Sequence, residues 1–410
     1  MESAKIIGGL ARIVRDVGLA EDLAQDALVL ALEKWPETGV PDNPAAWLTT
    51  AAKRRAIDRL RRGRMLERKH EAIARALEER QDQIPAELEA AADDHVGDDV
   101  LRLIFTSCHP ILSAEARVAL TLRLLGGLAT DEIARAFLVP EPTIAQRIVR
   151  AKKTLADAEI PFEVPRGEEL EARLASVLEV LYLIFNEGYA ATAGEDLMRP
   201  ALCDEALRLG RVLAELAPKE PEVHGLVAMM EIQASRTRAR VDAAGDPILL
   251  LDQDRARWDQ LLIRRGLAAL DRAQRLQRPV GPYTIQAAIA ACHARARVAS
   301  ETDWAMIATL YRALFTLNPN PVVRLNFAVA VGMAEGPAAA LAIVDDLRAA
   351  GDLKNYHLLP AVRADLLFKL GRLDEARADF ERAAAMTRNA RERATLTRRA
   401  EECAPAYSKT

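Results

Sequence analysis

Aromatic side chains make up only 4% of the sequence, and there are just four cysteines, Cys108, Cys203, Cys292 and Cys403. Sequence rich in Ala, Leu, Glu and Arg with so few aromatics is helix-forming, so an all-α fold is expected and an all-β one is not. The cysteines lie far apart and form no CxxC; neither a disulfide framework nor a zinc finger is indicated, and the thiols are expected to pack as small buried hydrophobes. Long apolar runs are missing too. The richest, Leu174 to Phe185, is interrupted by Glu179 and falls short of the roughly 20 residues a membrane span needs. The start lacks the charged, apolar, small-residue order of a signal peptide, so a soluble, cytoplasmic chain with no membrane partner is expected. The six histidines form no HExxH, and GxSxG, a phosphate loop and a dinucleotide fingerprint are absent, so no enzyme chemistry, metal or cofactor is expected. The adjacent pairs Cys108–His109 and Cys292–His293 read as structural.

Neither sign of charge dominates the whole chain, whose formal net charge is −4; any nucleic-acid binding must sit in a local patch. Such blocks exist. From Lys53 to His70 there are nine Lys or Arg against Asp58 and Glu67, and from Glu78 to Asp99 there are nine acids against Arg80 alone. Pro85, Gly97 and the scarcity of large apolar residues make the acidic block a linker. A second apolar-periodic block runs from Val100 to about Ile160 and ends at Pro161, Pro165 and Gly167. The 410 residues suggest about two to four units. The expected division is residues 1–65, an acidic linker at 66–98, 99–160, a helical extension at 168–300, and repeats at 301–405.

In the repeats, Ala364, Gly371, Ala376, Phe380 and Ala383 fall at the packing positions of a helix-turn-helix repeat of about 34 residues, the tetratricopeptide pattern. Ala328, Ala340 and Val344 match them upstream, and AELAPKEPEVHG and ALFTLNPNPVVR have helix, Pro-containing turn, helix punctuation. Hairpins of this kind bury their faces on neighbours and stack with a concave face. The segment Ala239 to Asp259 breaks the pattern as an inserted loop.

Three stretches could carry function. In Leu128 to Leu155, Thr130 is placed to cap one helix, Leu138, Val139 and Pro140 make a turn, and a second helix follows with Pro142 near its start. On that helix Ile144, Ile148, Ala151 and Leu155 share a face, while Thr143, Gln146, Arg150 and Lys153 point away and Arg147 lies on the flank. A DNA-recognition helix needs this division, although a solvated basic hairpin would share it. After NPAAWLTTAAKRRAIDRLRRGR, opened by Asn43 and Pro44, the residues Arg55, Arg59 and Arg62 form a cationic row suited to phosphates, and Trp47 offers a surface for an unstacked base. A solvated basic helix and a core tryptophan are the plainer readings. The third, Leu19 to Trp35, carries Asp22, Gln25, Asp26 and Val29 on one face and Leu28, Leu32 and Trp35 on another, a pattern that could dock a basic partner or simply face water.

In this order and spacing, GLAEDLAQDALVLALEKW, PDNPAAWLTTAAKRRAIDRLRR, the acidic linker and LSAEARVALTLRLLGGLATDEIARAFLVPEPTIAQRIVRAKKTL resemble a sigma factor of the extracytoplasmic-function (ECF) type, a promoter-specificity subunit of bacterial RNA polymerase. The long helical extension, including RPVGPYTIQAAIAACHA, resembles that of one sigma subgroup with tetratricopeptide-like repeats. The resemblance implies two small helical sigma domains. It assigns Asp22, Gln25 and Asp26 to core RNA polymerase. Asn43, Trp47, Arg54, Arg55, Arg59, Arg61 and Arg62 are assigned to the −10 promoter element. Thr143, Gln146, Arg147 and Arg150, with Lys152 and Lys153 as phosphate contacts, are assigned to the −35 element. The acidic linker would thread the polymerase's basic channels, and promoter opening would be binding energy spent on unstacking, with no bond made or broken. Only about ten residues precede Gly18 in helical register, so a short first helix is expected. The extension is expected to regulate in cis, packing on one or both DNA-binding domains or receiving a peptide or small ligand on its concave face; a solubilising appendage is the plainer reading. Two other readings stand beside this: a ligand-sensing one-component regulator with a tetratricopeptide-like sensor, against which the Arg-rich helix after Trp47 argues, and a protein-binding scaffold, against which Thr143, Gln146 and Arg150 argue.

Overall fold

The structure, a computed structural model, describes residues 2–74, 96–137, 139–276 and 278–404. Among them are 18 α-helices and one pair of two-residue parallel strands, β1 (Ala193–Gly194) and β2 (Arg388–Asn389), so the fold is all-α as the composition predicts. The chain divides into two compact units, residues 1–181 and 182–410. No helix among the described residues is long and apolar enough to cross a membrane.

The first unit opens with α1 (Glu2–Val14), α2 (Val17–Thr38) and α3 (Pro44–Ala74). Asp16 starts α2 by accepting the Leu19 N–H at 2.9 Å, and Gly39, at φ +81°, lets the chain turn away at its end. The buried face of α2 consists largely of small residues, Ala20, Ala24, Ala27 and Ala31 with Leu23, which allows α1 to approach closely. Asn43 caps α3, its side-chain oxygen accepting the Ala46 N–H at 3.0 Å. Most of the expected acidic linker lies outside the described residues.

Then come α4 (Val96–Ser107), α5 (Ala114–Leu124), α6 (Thr130–Phe137) and α7 (Glu141–Asp157). Thr130 is the first helical residue of α6 rather than its cap; Glu132 reaches back to accept the Ala129 N–H at 2.7 Å, the returning half of a capping box. Leu138 lies outside the described residues, and Val139 and Pro140 lead into α7, with Pro142 in its first turn. The helices of the two blocks pack on each other. At Gly8 of α1 a Cβ would stand 2.9 Å from the Asp99 carbonyl oxygen, and the buried Asp99 carboxylate faces Arg12 at 3.5 Å and Arg102 at 2.7 Å. Asp99, which closes the acidic run, is therefore an anchor of α4. Helix α8 (Glu168–Tyr189) begins in this unit. Its Arg173 donates to the Phe105 carbonyl at 2.9 Å, its Ser176 to the Cys108 carbonyl at 2.6 Å, and Arg117 of α5 donates to Ser176 and to Glu179 at 2.9 Å.

In the second unit, α9 (Pro200–Leu216) and α10 (Pro221–Ala234) are followed by an ordered loop, then α11 (Gln260–Arg275) and α12 (Pro282–Arg295). Helix α10 is buried nearly all round and close-packed through glycine: a Cβ on Gly225 would lie 2.5 Å from Thr284 Oγ1. The GPYT turn seats Glu222, whose carboxylate accepts the N–H groups of Tyr283 and Thr284 and the Thr284 hydroxyl at 2.5–3.1 Å, capping α12. Hairpins follow: α13 (Trp304–Leu317), α14 (Pro321–Ala334), α15 (Pro337–Ala349), α16 (Leu358–Lys369), α17 (Leu373–Met386) and α18 (Ala390–Glu402). The expected packing residues Ala328, Ala340, Val344, Ala364, Ala376, Phe380 and Ala383 are all buried, and Gly371 turns the chain at φ +74°. Arg363, also buried, is compensated by Asp345 and Asp379, each at 2.6 Å.

All four cysteines are free, and burial pushes the Cys108 thiol up to about 11 and the Cys203 thiol to about 12. Cys292 is half-buried rather than buried. In the adjacent pairs, His109 Nδ1 accepts the Ile111 N–H at 3.1 Å and the His293 ring packs edge-on against Trp304.

Candidate polymerase and nucleic-acid interface

Helix α7 divides as its spacing predicts. Ile144, Ile148, Ala151 and Leu155 are buried, Gln146, Arg150 and Lys153 are exposed, and Thr143 and Arg147 are half-buried. Lys152 stands apart from this group. The same helical turn aims it at α2, where its ammonium lies 2.5 Å from Glu21 and 3.8 Å from Asp22. Glu21 is 2% exposed and also accepts from Arg123 Nε of α5 and from Gln25 Nε2, each at 2.6 Å. One carboxylate thus ties α2 to α5 and α7, and it brings residues assigned to core polymerase, Asp22 and Gln25, next to one assigned to the −35 element.

Asp22, Gln25 and Asp26 are exposed on α2, and Leu28, Val29 and Leu32 are exposed beside them at 43%, 53% and 76%. The outer surface of α2 is therefore an acidic and apolar stripe, and an exposed apolar group rimmed by charge is suited to a protein partner.

Along α3, Arg54, Arg59 and Arg61 are exposed; Arg55 is half-buried, 3.9 Å from Asp26, and the side chain of Arg62 lies outside those described. Asn43 is exposed, with its carboxamide oxygen engaged as the α3 cap. Trp47 is half-buried and meets Trp35 edge-on, ring centres 5.5 Å apart. The Arg-bearing surface of α3 follows Trp47 by two turns.

Glu21 and Arg123 escaped the sequence reading. The available signal was an acid on the buried stripe of α2, between Ala20 and Ala24, since a charge placed there needs partners.

Comparison with known proteins agrees with this organisation. Sigma-70 region 2 matches residues 3–65, Sigma-70 region 4 matches 102–155, and a family of unknown function, DUF6596, matches 173–274. An ECF RNA polymerase sigma factor SigK of Mycobacterium sp. (strain KMS) is 29% identical over 153 residues, covering 35% of this chain and 72% of its own. SigK of Mycobacterium bovis (strain BCG / Pasteur 1173P2) is 28% identical over 156 residues, covering 37% and 78%. The uncharacterized protein R00370 of Rhizobium meliloti (strain 1021) is 47% identical over 392 residues, covering 95% of this chain and 91% of its own. The chain belongs to the family of this Rhizobium protein, and its Sigma-70 regions 2 and 4 support a sigma factor of the ECF type.

Proposed function

We propose that this chain binds core RNA polymerase through the acidic and apolar stripe of α2, directs it to particular promoters, aids their opening, and is regulated in cis by its own C-terminal extension. The observation that carries the reading is the presence in one unit of two solvent-facing cationic helix surfaces, Arg54, Arg59 and Arg61 on α3 and Gln146, Arg150 and Lys153 on α7, the latter backed by a buried apolar face. Phosphate contacts from such rows position a protein, and polar tips on a groove-bound helix read base edges. Asn43, Trp47, Arg55 and Arg62 complete the −10 surface in this reading, and Thr143, Arg147 and Lys152 the −35 surface. A cytoplasmic place follows from the same reading.

Promoter elements centred about 25 base pairs apart lie roughly 85 Å apart on B-DNA at about 3.4 Å per base pair. In this reading the contact through Glu21 opens when both elements are bound, which frees Lys152 for phosphate. Cis regulation is supported by α8, whose Arg173 and Ser176 bond to the carbonyls of the helix-turn-helix block at Phe105 and Cys108. In this reading the tetratricopeptide-like hairpins of the extension receive a peptide or small ligand.

The test is co-purification of the full chain with bacterial core RNA polymerase, then run-off transcription from its own upstream region. A stable complex with promoter-specific transcripts, and tighter binding to fork-junction than to closed duplex DNA in the presence of core, are expected. Failure to bind core, with duplex binding by the chain alone, would move the assignment to a ligand-sensing one-component regulator.

A further inference from the structure

The second unit contains a cavity of about 350 Å³ between the inserted loop and helix α18, within the volume range of small-ligand sites. Its walls are mostly aliphatic, from Ile248, Leu250, Leu358 and Leu396, and two guanidinium groups, Arg236 and Arg240, stand among them. Both are half-buried, and neither has a carboxylate within 4 Å among the described residues. Arg240 lies over the Tyr189 ring, 3.6 Å from its centre, and donates to the Tyr189 carbonyl. Arg236 donates to the Tyr189 hydroxyl and to Gln233, while its Nε is buried without an acceptor. It also faces a second, smaller cavity of about 160 Å³ together with Trp258 and His293.

Glu392 on the same wall makes no ion pair with either of them: it accepts from the Thr387 hydroxyl at 2.8 Å and sits 3.2 Å from His357 Nε2, and it acts on Arg240 only through space. Burial holds the Arg240 guanidinium below its ordinary value, and the charge of Arg236 adds to this. Arg363 of this unit is compensated by Asp345 and Asp379, and Arg255, half-buried like these two, spends its guanidinium on the His293 and Ala296 carbonyls and the Thr302 hydroxyl. Gln253, 8% exposed, also lines the cavity, and its Oε1 is buried without a donor. Buried charge and buried polar atoms are costly when left without partners.

We propose that this cavity is a binding site for a small organic acid with an aliphatic body, its carboxylate or phosphate held by Arg236 and Arg240, its chain along Ile248, Leu250, Leu358 and Leu396, and a hydrogen-bond donor meeting Gln253. Guanidinium forks match acid oxygens, and the aliphatic walls match the body. This gives the small ligand of the regulatory reading a class and a place, and it rests on that reading only for its consequence in transcription.

The site is tested on the full chain by isothermal titration calorimetry and thermal shift with octanoate, octyl phosphate, octylamine and octanol. Octanoate or octyl phosphate is expected to bind and raise the melting temperature, with octylamine and octanol at least tenfold weaker. Arg236→Gln and Arg240→Gln should each weaken octanoate about tenfold or more, and Thr395→Trp, which fills the cavity without removing charge, should abolish binding. Equal binding of octylamine, or octanoate binding unchanged in Thr395→Trp, would overturn the proposal. Circular dichroism checks each variant; if the arginine variants unfold, the comparison of octanoate with octylamine on the parent chain and on Thr395→Trp still decides. Loss of this site leaves the polymerase reading standing, and failure to bind polymerase leaves the site standing.

Discussion

Glu21 bonds to Arg123, Gln25 and Lys152 from a position where only 2% of the residue is exposed. Replacing its carboxylate with a neutral amide leaves two cations facing a weaker acceptor, although both keep about a fifth of their side-chain surface in water, at 23% and 20%. Glu21→Gln is therefore expected to destabilise the first unit by about 1–3 kcal/mol, less than the loss from stranding a fully buried charge. Urea denaturation measures it, and an unchanged midpoint would show that the carboxylate holds nothing. In the other unit, burial first and then Arg236 and Arg255 push the His293 ring down to about 4. A histidine freed by unfolding protonates near 6.5, so between pH 6.5 and 4 the unfolded chain binds more protons than the folded one. Stability present above pH 6.5 is lost as pH falls through that window. At pH 4.5 the contribution lost is about 2 kcal/mol, and a His293→Gln chain should lose correspondingly less between pH 7 and 4.5. Parallel acid curves for the two chains would contradict the assignment.

At the scale of a helix, much of α7 was legible. A period of 3.6 residues places Ile144, Ile148, Ala151 and Leu155 on one face whatever that face packs against, and all four are buried. The same periodicity could not say that Lys152 meets Glu21, because the partner lies on α2, far away in sequence. Thr130 lies one residue inside the cap position that its hydroxyl suggests, because Glu132 already satisfies the Ala129 N–H. On α7, Gln146→Ala and Arg150→Ala should each cost about 1–3 kcal/mol of discrimination between the cognate −35 sequence and a scrambled one. Lys153→Ala should instead weaken all duplexes alike and lower the salt slope by about 1. Gel shifts with the polymerase complex over a salt series separate the two patterns, and identical behaviour of the three variants would argue against base reading by α7.

For the molecule as a whole, α8 is the element on which the proposed cis regulation would turn, since its first half bonds to the helix-turn-helix block within the first unit. A chain ending at residue 181 keeps Arg173 and Ser176; one ending at 167 leaves the Phe105 and Cys108 carbonyls and Arg117 without these partners. The freed groups are then hydrated, so the shorter chain should lose about 0.5–1.5 kcal/mol for each of these hydrogen bonds, read as a lower melting temperature. If the extension regulates in cis, the 1–181 chain should change promoter-dependent transcription relative to the full chain, and equal transcription would remove that part of the proposal. Helix positions, the apolar face of α7, the hairpin packing positions from Ala328 to Ala383 and the order of the two sigma regions were set by the sequence, because periodicity, caps and turns are local. Tertiary structure alone decided that Glu21 gathers Arg123 and Lys152, that Trp47 leans on Trp35, and that Arg236, Arg240 and Gln253 share a cavity with α18. Charge interaction and burial depend on distance through space, and the residues that supply them are separated by up to about 150 positions of chain.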